Sequence, residues 1–528
     1  MLNAWLKTIA RVPGLADFMA LFATMSYFSG QFIDFAKDPG VGWHLKTGEL
    51  IATTSEIPTS DPFLFSATPR PWVSDQWLSD LLLYWLYQLG SWPLLYALFT
   101  VMSLSGFLLV LYPAVSRHAG SWLAGCFAVT LALRMGQVHF ILRPVGFSFL
   151  FFALAASSLY RLHDKIRGEG TSDFGKKLWL GLPLLFAIWA NMHPSFVLGL
   201  LLMALLPASL ILDGIFQGGR VSTGVTGKLC LLLIACLLAT FINPYTFELH
   251  QSIMSLGSSE YFLRLNREWH SPDFTSHFGR ILEIILALMV FFAFVCRANR
   301  RKLCFFDLLP LLLFCHAGLQ AIRFFPYLGI IAAFPLARTL AGAGELQSSF
   351  SNSRFWTKLC EYFSGLEALE RRGNKGRLVL LVAFTLILGD ALLNQRLLTF
   401  NGPFGPGEDN YPGQAFAALK QDLMSQHPDA QVVAIASTPN WGGFITWHGY
   451  PQIRAVIDDR NTLLGEQAYK DYLEKLKPGQ PWREYLKDTG AAYLLIEKDS
   501  AIGASIKEAG SLPIVYEDKV AILFRYER

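Results

Sequence analysis

Asp38 stands just after an apolar run and is followed by Pro39, at the start of the polar stretch KDPGVGWHLKTGELIATTSEIPTSDPFLFSATPRPWVSDQW, residues 37–77. A carboxylate there can take a proton from an incoming hydroxyl or amine, or ligate a divalent ion. Asp-Pro also opens turns. His44 follows in a segment expected to form a short amphipathic helix with Trp43, Leu50 and Ile51 toward the membrane. Its imidazole can ligate a metal, bind phosphate or simply hydrogen-bond. Arg143-Pro144 and Arg323-Phe324-Phe325-Pro326 each place a guanidinium at a span boundary. Forked donors and permanent charge suit a phosphate, and a departing phosphate needs such stabilisation as its negative charge grows. Snorkelling toward headgroups is the simpler alternative. Glu268-Trp269-His270 adds a carboxylate beside an aromatic platform of the kind that stacks on sugars.

A second constellation lies in the tail, where Asn440-Trp441-Gly442-Gly443-Phe444 precedes Tyr450 and Arg454-Ala455-Val456-Ile457-Asp458-Asp459-Arg460-Asn461-Thr462. Paired glycines beside an aromatic permit close backbone approach. Asp458-Asp459-Arg460 leaves a strand end, where functional groups gather in α/β sheets; a turn with a structural ion pair is the alternative. Asp61 and Asp75, each preceded by Ser, read as turn and helix-cap residues.

These groups need a scaffold, and the composition says what kind. The chain has 528 residues, 53% of them hydrophobic and only 16% charged, well below the quarter or so charged in soluble domains. That is the profile of a polytopic membrane protein. A net charge of +4 without a basic patch gives no reason to expect nucleic acid. The seven cysteines fall in expected spans or inner loops without a Cys-x-x-Cys spacing, so they read as small apolar core residues rather than a disulfide framework.

About eleven spans are expected, near 15–35, 78–112 (a surface helix running into a span), 121–136, 145–161, 178–191, 194–212, 229–243, 281–296, 304–319, 324–341 and 378–394. The first reads as a retained span rather than a removed signal peptide, since Asp17 and Ser26 interrupt it. Every second connection is basic: Arg117; Arg161, Lys165, Arg167, Lys176 and Lys177; Arg220 and Lys228; Arg297, Arg300, Arg301 and Lys302; then Arg354 to Arg377. The positive-inside tendency puts these and the N-terminus in the cytoplasm. The 342–377 loop repeats Phe355, Trp356, Leu359, Tyr362 and Phe363 at helical spacing, as a helix on the inner membrane face would.

The opposite face collects Asp38, His44, Arg134, His139, Arg143, Asn191, His193, Asn243, Glu248, His250, Arg264, Arg267, Glu268, His270, Asp273 and Arg323. Ionisable groups at span ends are costly unless they have partners or work to do. Residues 1–394 therefore read as a membrane domain with an outer loop at 36–77. Residues 395–411 read as a Gly/Pro linker, and 412–528 as a soluble α/β domain at the outer face.

The order of motifs resembles a large group of bacterial multi-span proteins of the GT-C glycosyltransferase-like class. The likeness rests on DPGVGWHLKTGELI, IPTSDPFLFS, PWVSDQWLSDLLLY, ILRPVGFSFL, IWANMHPSFVLGL, INPYTFEL, REWHSPDF, RFFPYLGIIAAFPLA and NWGGFITW…VIDDRNTLLG, spread over most of the chain. Where that group usually has HGG this chain has His193-Pro194-Ser195, and where it has Gly after Asn-Pro-Tyr this chain has Thr246. The tail is also similar, over a short stretch, to the oligosaccharyltransferase catalytic subunit, and more distantly the class includes protein mannosyltransferases. In the first relative a catalytic Asp follows the first span, matching Asp38, and an aromatic-glycine segment, matching Trp441 to Phe444, helps recognise an acceptor peptide.

The resemblance implies a GT-C-like helical membrane fold of about eleven spans with a C-terminal α/β domain. It also implies an inverting transfer of sugar from a polyprenyl-phosphate donor to a saccharide, lipid or protein acceptor, at the outer face of a bacterial inner membrane. Asp38 would be base or metal ligand, with Mg or Mn as the divalent ion to consider at Asp38 and His44. Arg143 and Arg323 would steady the donor phosphate; His44, His193, Glu268, Trp441, Asp458 and Arg460 would line the site. Two other readings remain open. A lipid-linked sugar transporter or flippase predicts mid-span charges and paired repeats. A non-catalytic assembly protein would keep the fold without the reaction.

Overall fold

The computed structural model describes residues 22, 38–66, 68, 70–169, 174–217, 223–298, 304–343, 354–372, 377–394, 405–426 and 431–526. The expected first span, apart from residue 22, and residues 395–404 of the expected linker lie outside them.

Helix α1, Val41–Thr54, opens the polar loop. Helix α2, Trp77–Ser105, follows with a break at Gly90 and Ser91, the latter at φ 54°, just ahead of Pro93, which has no N–H to donate. This divides it as the two-part reading of 78–112 expects. A π-helical turn, Gly106–Leu111, joins it to α3, Tyr112–Ala119. The bundle continues with α4, Trp122–Gly136; α5, Val145–Glu169; α6, Lys176–Met192; α7, Phe196–Gln217; and α8, Thr223–Ala239. Two short helices, α9, Phe247–Ser258, and α10, Glu260–Leu265, lead to α11, His277–Ala298; α12, Phe305–Gln320; α13, Phe325–Ala343; α14, Arg354–Arg372; and α15, Arg377–Asn394.

Among the described residues five stretches are long and apolar enough to cross a membrane: Trp77–Ala119, Val145–Gly168, Phe196–Gln217, His277–Phe294 and Ile322–Gly342. Thr223–Ala239, Phe305–Gln320 and Val382–Asn394 are shorter apolar helices. Large apolar side chains stay exposed on the bundle, including Leu180 and Leu184 on α6, Leu231 and Leu238 on α8, and Val290 and Phe294 on α11. Water does not favour such a surface; lipid does. On α14, Tyr362 and Phe363 are exposed, while the side chains of Phe355, Trp356 and Leu359 lie outside the description. The same helix is also tied to the bundle: the Glu367 carboxylate accepts from Ser121 Oγ at 2.9 Å and from the N–H groups of Trp122 and Leu123 at 3.0 and 3.1 Å. An anion at the start of α4 meets its unpaired donors and positive dipole end.

The tail begins with α16, Gly413–Gln426, then β1, Val433–Ser437; α17, Pro439–Gly449; β2, Ile453–Ala455; α18, Asn461–Lys475; α19, Trp482–Thr489; β3, Tyr493–Glu497; α20, Ala501–Glu508; β4, Ile514–Glu517; and β5, Ala521–Arg525. The sheet order is β2-β1-β3-β5-β4. The first three strands run parallel and β5 pairs antiparallel with both β3 and β4. All five expected strands form, and two helices, α17 and α19, stand where no helix was read. Its core of Ile435, Ile445, Leu495 and Leu523 also takes in Leu64 from the opening loop and Phe262 from α10. The Phe65 N–H donates to the Ala455 carbonyl at 2.9 Å, so the opening loop is bonded to the end of β2.

Candidate active site

Three glycines set how closely the loop and the tail meet. A Cβ on Gly42 would stand 2.1 Å from the Gly443 carbonyl oxygen, one on Gly443 2.2 Å from that of Pro39, and one on Gly442 2.3 Å from Asp458 Cβ. The start of α1, the start of α17 and the end of the β2 segment are therefore in direct backbone contact. The close approach expected of the glycine pair is thus made to protein backbone. Trp43 joins Phe63 and Trp72 in a small cluster with Tyr450 and Leu463 beside it. The membrane-facing α1 read from sequence is corrected here: Trp43 faces the tail, because that is where its aromatic partners are.

This contact brings Asp38 under Arg143. The carboxylate Oδ1 accepts from the Gly40 N–H at 2.8 Å and from Arg143 Nε at 2.6 Å. The other arm of the guanidinium reaches Asp459 Oδ2 at 2.7 Å, and Asp459 Oδ1 accepts from the Trp43 indole at 2.9 Å. Tyr411 donates its hydroxyl to the Asp38 carbonyl at 3.0 Å. One arginine thus bridges a loop carboxylate and a tail carboxylate. Asp38 is 7% exposed, and burial pushes its carboxyl up while Arg143 offsets only part of that. Asp459 is raised for the same reasons. Burial works against the Arg143 charge, but Asp38, Asp459 and Glu268 outweigh it and hold the guanidinium protonated. Asp459, absent from the expected set, had a signal in its place beside Asp458 at a strand end.

Asp458 and Arg460 form a separate, deeper unit. Arg460 Nε donates to Asp458 Oδ2 at 2.7 Å, and its Nη1 lies 2.9 Å from Asp61 Oδ1. Its guanidinium carbon sits 4.7 Å from the Trp72 ring centre and 5.6 Å from those of Trp43 and Phe63. Burial lifts Asp458 to about 6, against the pull of Arg460. Asp61 also accepts from the N–H groups of Phe63 and Leu64 at 3.2 and 3.1 Å, a turn role as read, with an ion pair added. Asp75 does not cap α2, whose start at Gln76 has no side-chain cap; it pairs instead with the Gln76 amide at 3.1 Å.

Next to Asp38 and Arg143 lies the second arginine. Arg323 Nη1 donates to Glu268 Oε1 at 3.2 Å, and its guanidinium stacks 4.0 Å from the Trp269 ring centre. Glu268 Oε2 is 3.8 Å from His139 Nε2. Burial raises Glu268, but Arg323, His139 and Arg143 together bring it below the usual glutamate value. Burial pushes His139 down to about 4 and His193 well below the ordinary value, with the nearby cations adding to both shifts. His193 Nδ1 accepts from the Ser195 N–H at 3.1 Å. Beside this group opens a cavity of about 550 Å³ lined by Arg264, Trp269, His270, Gln320 and Phe324 among others.

Of the expected set, then, Asp38, Arg143, His193, Glu268 and Arg323 come together, with His139 added. His44 is buried next to them, but its Nδ1 is bonded to Asp80 Oδ1 at 2.6 Å, and burial depresses its pKa strongly. Trp441 is buried in the tail core and donates its indole N–H to the Asn410 carbonyl at 3.0 Å. Asn191 donates across the bundle to the Ile242 carbonyl at 2.7 Å, His250 and Asp273 are engaged in local hydrogen bonds, and Arg134 and Arg264 make exposed contacts with Gln137 and Glu260, three and four residues away. Thr246 adopts φ 47°, the left-handed region that favours glycine, at the position where the resembling group carries one. The backbone shape persists without the residue that adopts it most easily.

No protein-family model matches the chain, and no curated protein matches it by sequence. Its fold is similar to that of solved structures, in line with the fold expected from the motifs. The archaeal oligosaccharyltransferase AglB from Archaeoglobus fulgidus, solved in complex with an inhibitory peptide and a dolichol-phosphate, aligns with a TM-score of 0.57 at 10% identity, covering 91% of this chain and 69% of that one. ArnT from Cupriavidus metallidurans, solved bound to undecaprenyl phosphate, covers 97% of both chains at 12% identity with a TM-score of 0.45. Its apo state covers 99% of this chain and 98% of that chain at 14% identity and 0.43.

Proposed function

We propose that this chain is a membrane glycosyltransferase that moves a sugar from a polyprenyl-phosphate-linked donor to an acceptor at the outer face of a bacterial inner membrane. The observation that carries the reading is the meeting of Asp38, Arg143, Glu268 and Arg323, from four separate segments, with a cavity on the Glu268–Arg323 side that Trp269 and Phe324 help line. The AglB fold adds support, since that protein was solved with a lipid phosphate and a peptide.

The chemistry assigned to each residue follows from its contacts. The acceptor oxygen or nitrogen attacks the sugar's anomeric carbon, the bond to phosphate breaks with its electron pair on the phosphate, and the acceptor's proton leaves to a base. Asp38 is that base, or the ligand of a divalent cation that activates the acceptor. Both hydrogen bonds to its carboxylate fall on Oδ1, which leaves Oδ2 for either role. Arg323 and Arg143 offset the negative charge growing on the phosphate, and Trp269 offers a face for the sugar. The inverting outcome, the eleven spans, the periplasmic tail and the boundaries at 394 and 412 belong to the same proposal.

The test is donor turnover by the reconstituted protein carrying Asp38→Asn. Loss of turnover in a folded variant is expected; unchanged turnover removes the central assignment. A non-catalytic assembly role draws on one observation, the pairing of Asp38 with Arg143, and it predicts that wild-type protein releases no sugar at all.

A further inference from the structure

Helix α5 carries Arg143 just before its start and His163 near its far end, 18 residues after Val145, which at 1.5 Å per residue is about 27 Å away. That distance is close to the thickness of a bilayer core. At this opposite end His163, Asp213 of α7 and Cys304, immediately before α12, bring one donor atom each within 4.8 Å of the others. We propose that these three side chains bind a zinc-class divalent metal ion, separate from the Asp38 site.

The donor set is one that zinc accepts: imidazole nitrogen, thiolate sulfur and carboxylate oxygen, with water or a further group as fourth ligand. Apolar packing alone leaves the arrangement unexplained. His163 is fully buried and Cys304 nearly so, and the thiol sits 3.4 Å from His163 Nε2. Among the described residues, two buried atoms, Asp213 Oδ2 and His163 Nδ1, have no hydrogen-bond partner. Their ion-pair partners among those residues stand off, with Arg167 Nη1 3.7 Å from Asp213 Oδ2 and Asp164 Oδ1 3.6 Å from His163 Nδ1.

The surroundings already hold the ligands in place. Asp213 Oδ1 accepts from Gln217 Nε2 at 2.7 Å and from the Phe305 N–H at 3.3 Å. This fixes the carboxylate with Oδ2 as its remaining ligand atom. Asp164, held by His118 and Arg338, stands 3.6 Å from His163 Nδ1, and closing to hydrogen-bond distance would make it the outer carboxylate usual behind a metal-bound imidazole. Drawing the three donors onto one ion needs ligand separations of roughly 3.3–3.8 Å, as tetrahedral bonds of 2.0–2.3 Å require, so the helices close by up to about 1 Å. Binding displaces the Cys304 proton to solvent and clamps α5, α7 and the start of α12 together.

The probe is the metal alone. Full-length protein purified in detergent without chelator is expected to hold close to one zinc per chain by elemental analysis. Replacing zinc with Co(II) should give a sulfur-to-cobalt charge-transfer band. Cys304→Ser should abolish that band and lower zinc occupancy, since it removes the one thiolate of the ligand set. Asp213→Asn, which keeps the size and the Gln217 contact, should weaken binding without affecting the elution profile. Protein with no metal as purified and none after incubation with zinc overturns the site. Metal that binds equally to wild type and to folded Cys304→Ser places the ion elsewhere and overturns it too.

Discussion

Gly443→Ala is the sharpest perturbation of the loop–tail contact, because it adds a single methyl where the structure has no room. The new Cβ would begin 2.2 Å from the Pro39 carbonyl oxygen and 3.3 Å from Trp43 Cδ1. A tolerable contact begins at 3.0 Å, and the atom in the way is backbone, so α17 and the Asp38-Pro39 turn must move apart by close to 1 Å. Overpacking of this sort costs roughly 1–3 kcal/mol. The same movement pulls Asp459 from Arg143 and Trp43, whose bonds of 2.7 and 2.9 Å span this contact. A misplacement of about 1 Å at a reacting group costs on the order of 100-fold in rate. Gly413→Ala serves as control, since nothing lies within 4 Å of its added Cβ. Donor turnover in proteoliposomes and thermal unfolding in detergent read the two effects. A Gly443→Ala protein matching the control in both measurements would refute the argument that loop and tail meet backbone to backbone.

Arg460→Met removes the cation between Asp61 and Asp458 while retaining bulk within the aromatic cluster; two buried carboxylates are left unpaired, and unfolding in denaturant should show a loss of about 3–5 kcal/mol. Arg143→Gln should lower turnover by about 100-fold through loss of the bond that positions Asp38, and adding Asp459→Asn should recover thermal stability but not activity. His139 gives a pH test. Its folded pKa is about 4 against an ordinary 6.5, so below pH 6.5 the unfolded chain takes a proton that the folded chain refuses. The resulting stability is complete above pH 6.5 and lost as pH falls toward 4, by at most about 3 kcal/mol. His139→Gln should therefore flatten that part of the stability profile, read by unfolding at pH 7.5 and pH 5.

The parts of the chain written in local pattern were readable from the sequence. Apolar runs marked the long helices, and short apolar stretches between helical patterns in the tail marked all five strands, because burial on one or two faces imposes such patterns. Pairings between distant residues have no local signature: Asp61 with Arg460, Arg143 with Asp38 and Asp459, His44 with Asp80. Helix α17 was missed because two adjacent glycines disfavour helix, although Pro439 at its first turn is a helix-start signal. Trp441 looked like a recognition residue, yet its size and apolar character suit the buried place it takes. Cys304 read as a small apolar residue, but its neighbours in space are His163 and Asp213. A signal was available there, since ionisable residues such as Asp164, Asp213 and Asp307 recur within apolar helices, at the end away from Asp38.

On the proposed reading the two arginines cannot have equal duties. Arg143 is already shared between two carboxylates at 2.6 and 2.7 Å, so a phosphate reaching it must displace one of them or face their net negative charge. Arg323 meets one carboxylate at 3.2 Å, lies over Trp269, and adjoins Phe324 in the wall of the open cavity. A phosphate arriving there need only share the guanidinium with Glu268. Charge stabilisation of the leaving group therefore falls first to Arg323. Arg143 is then the residue that fixes Asp38, holding Oδ1 while Oδ2 stays available and linking that position to the tail through Asp459. This division also accounts for where the glycines are. The close loop–tail backbone contacts of Gly42, Gly442 and Gly443 lie at the Asp38–Asp459 junction, where an error in position would be transmitted directly to the base. The Arg323 side, which must admit substrate, is built around an open cavity instead.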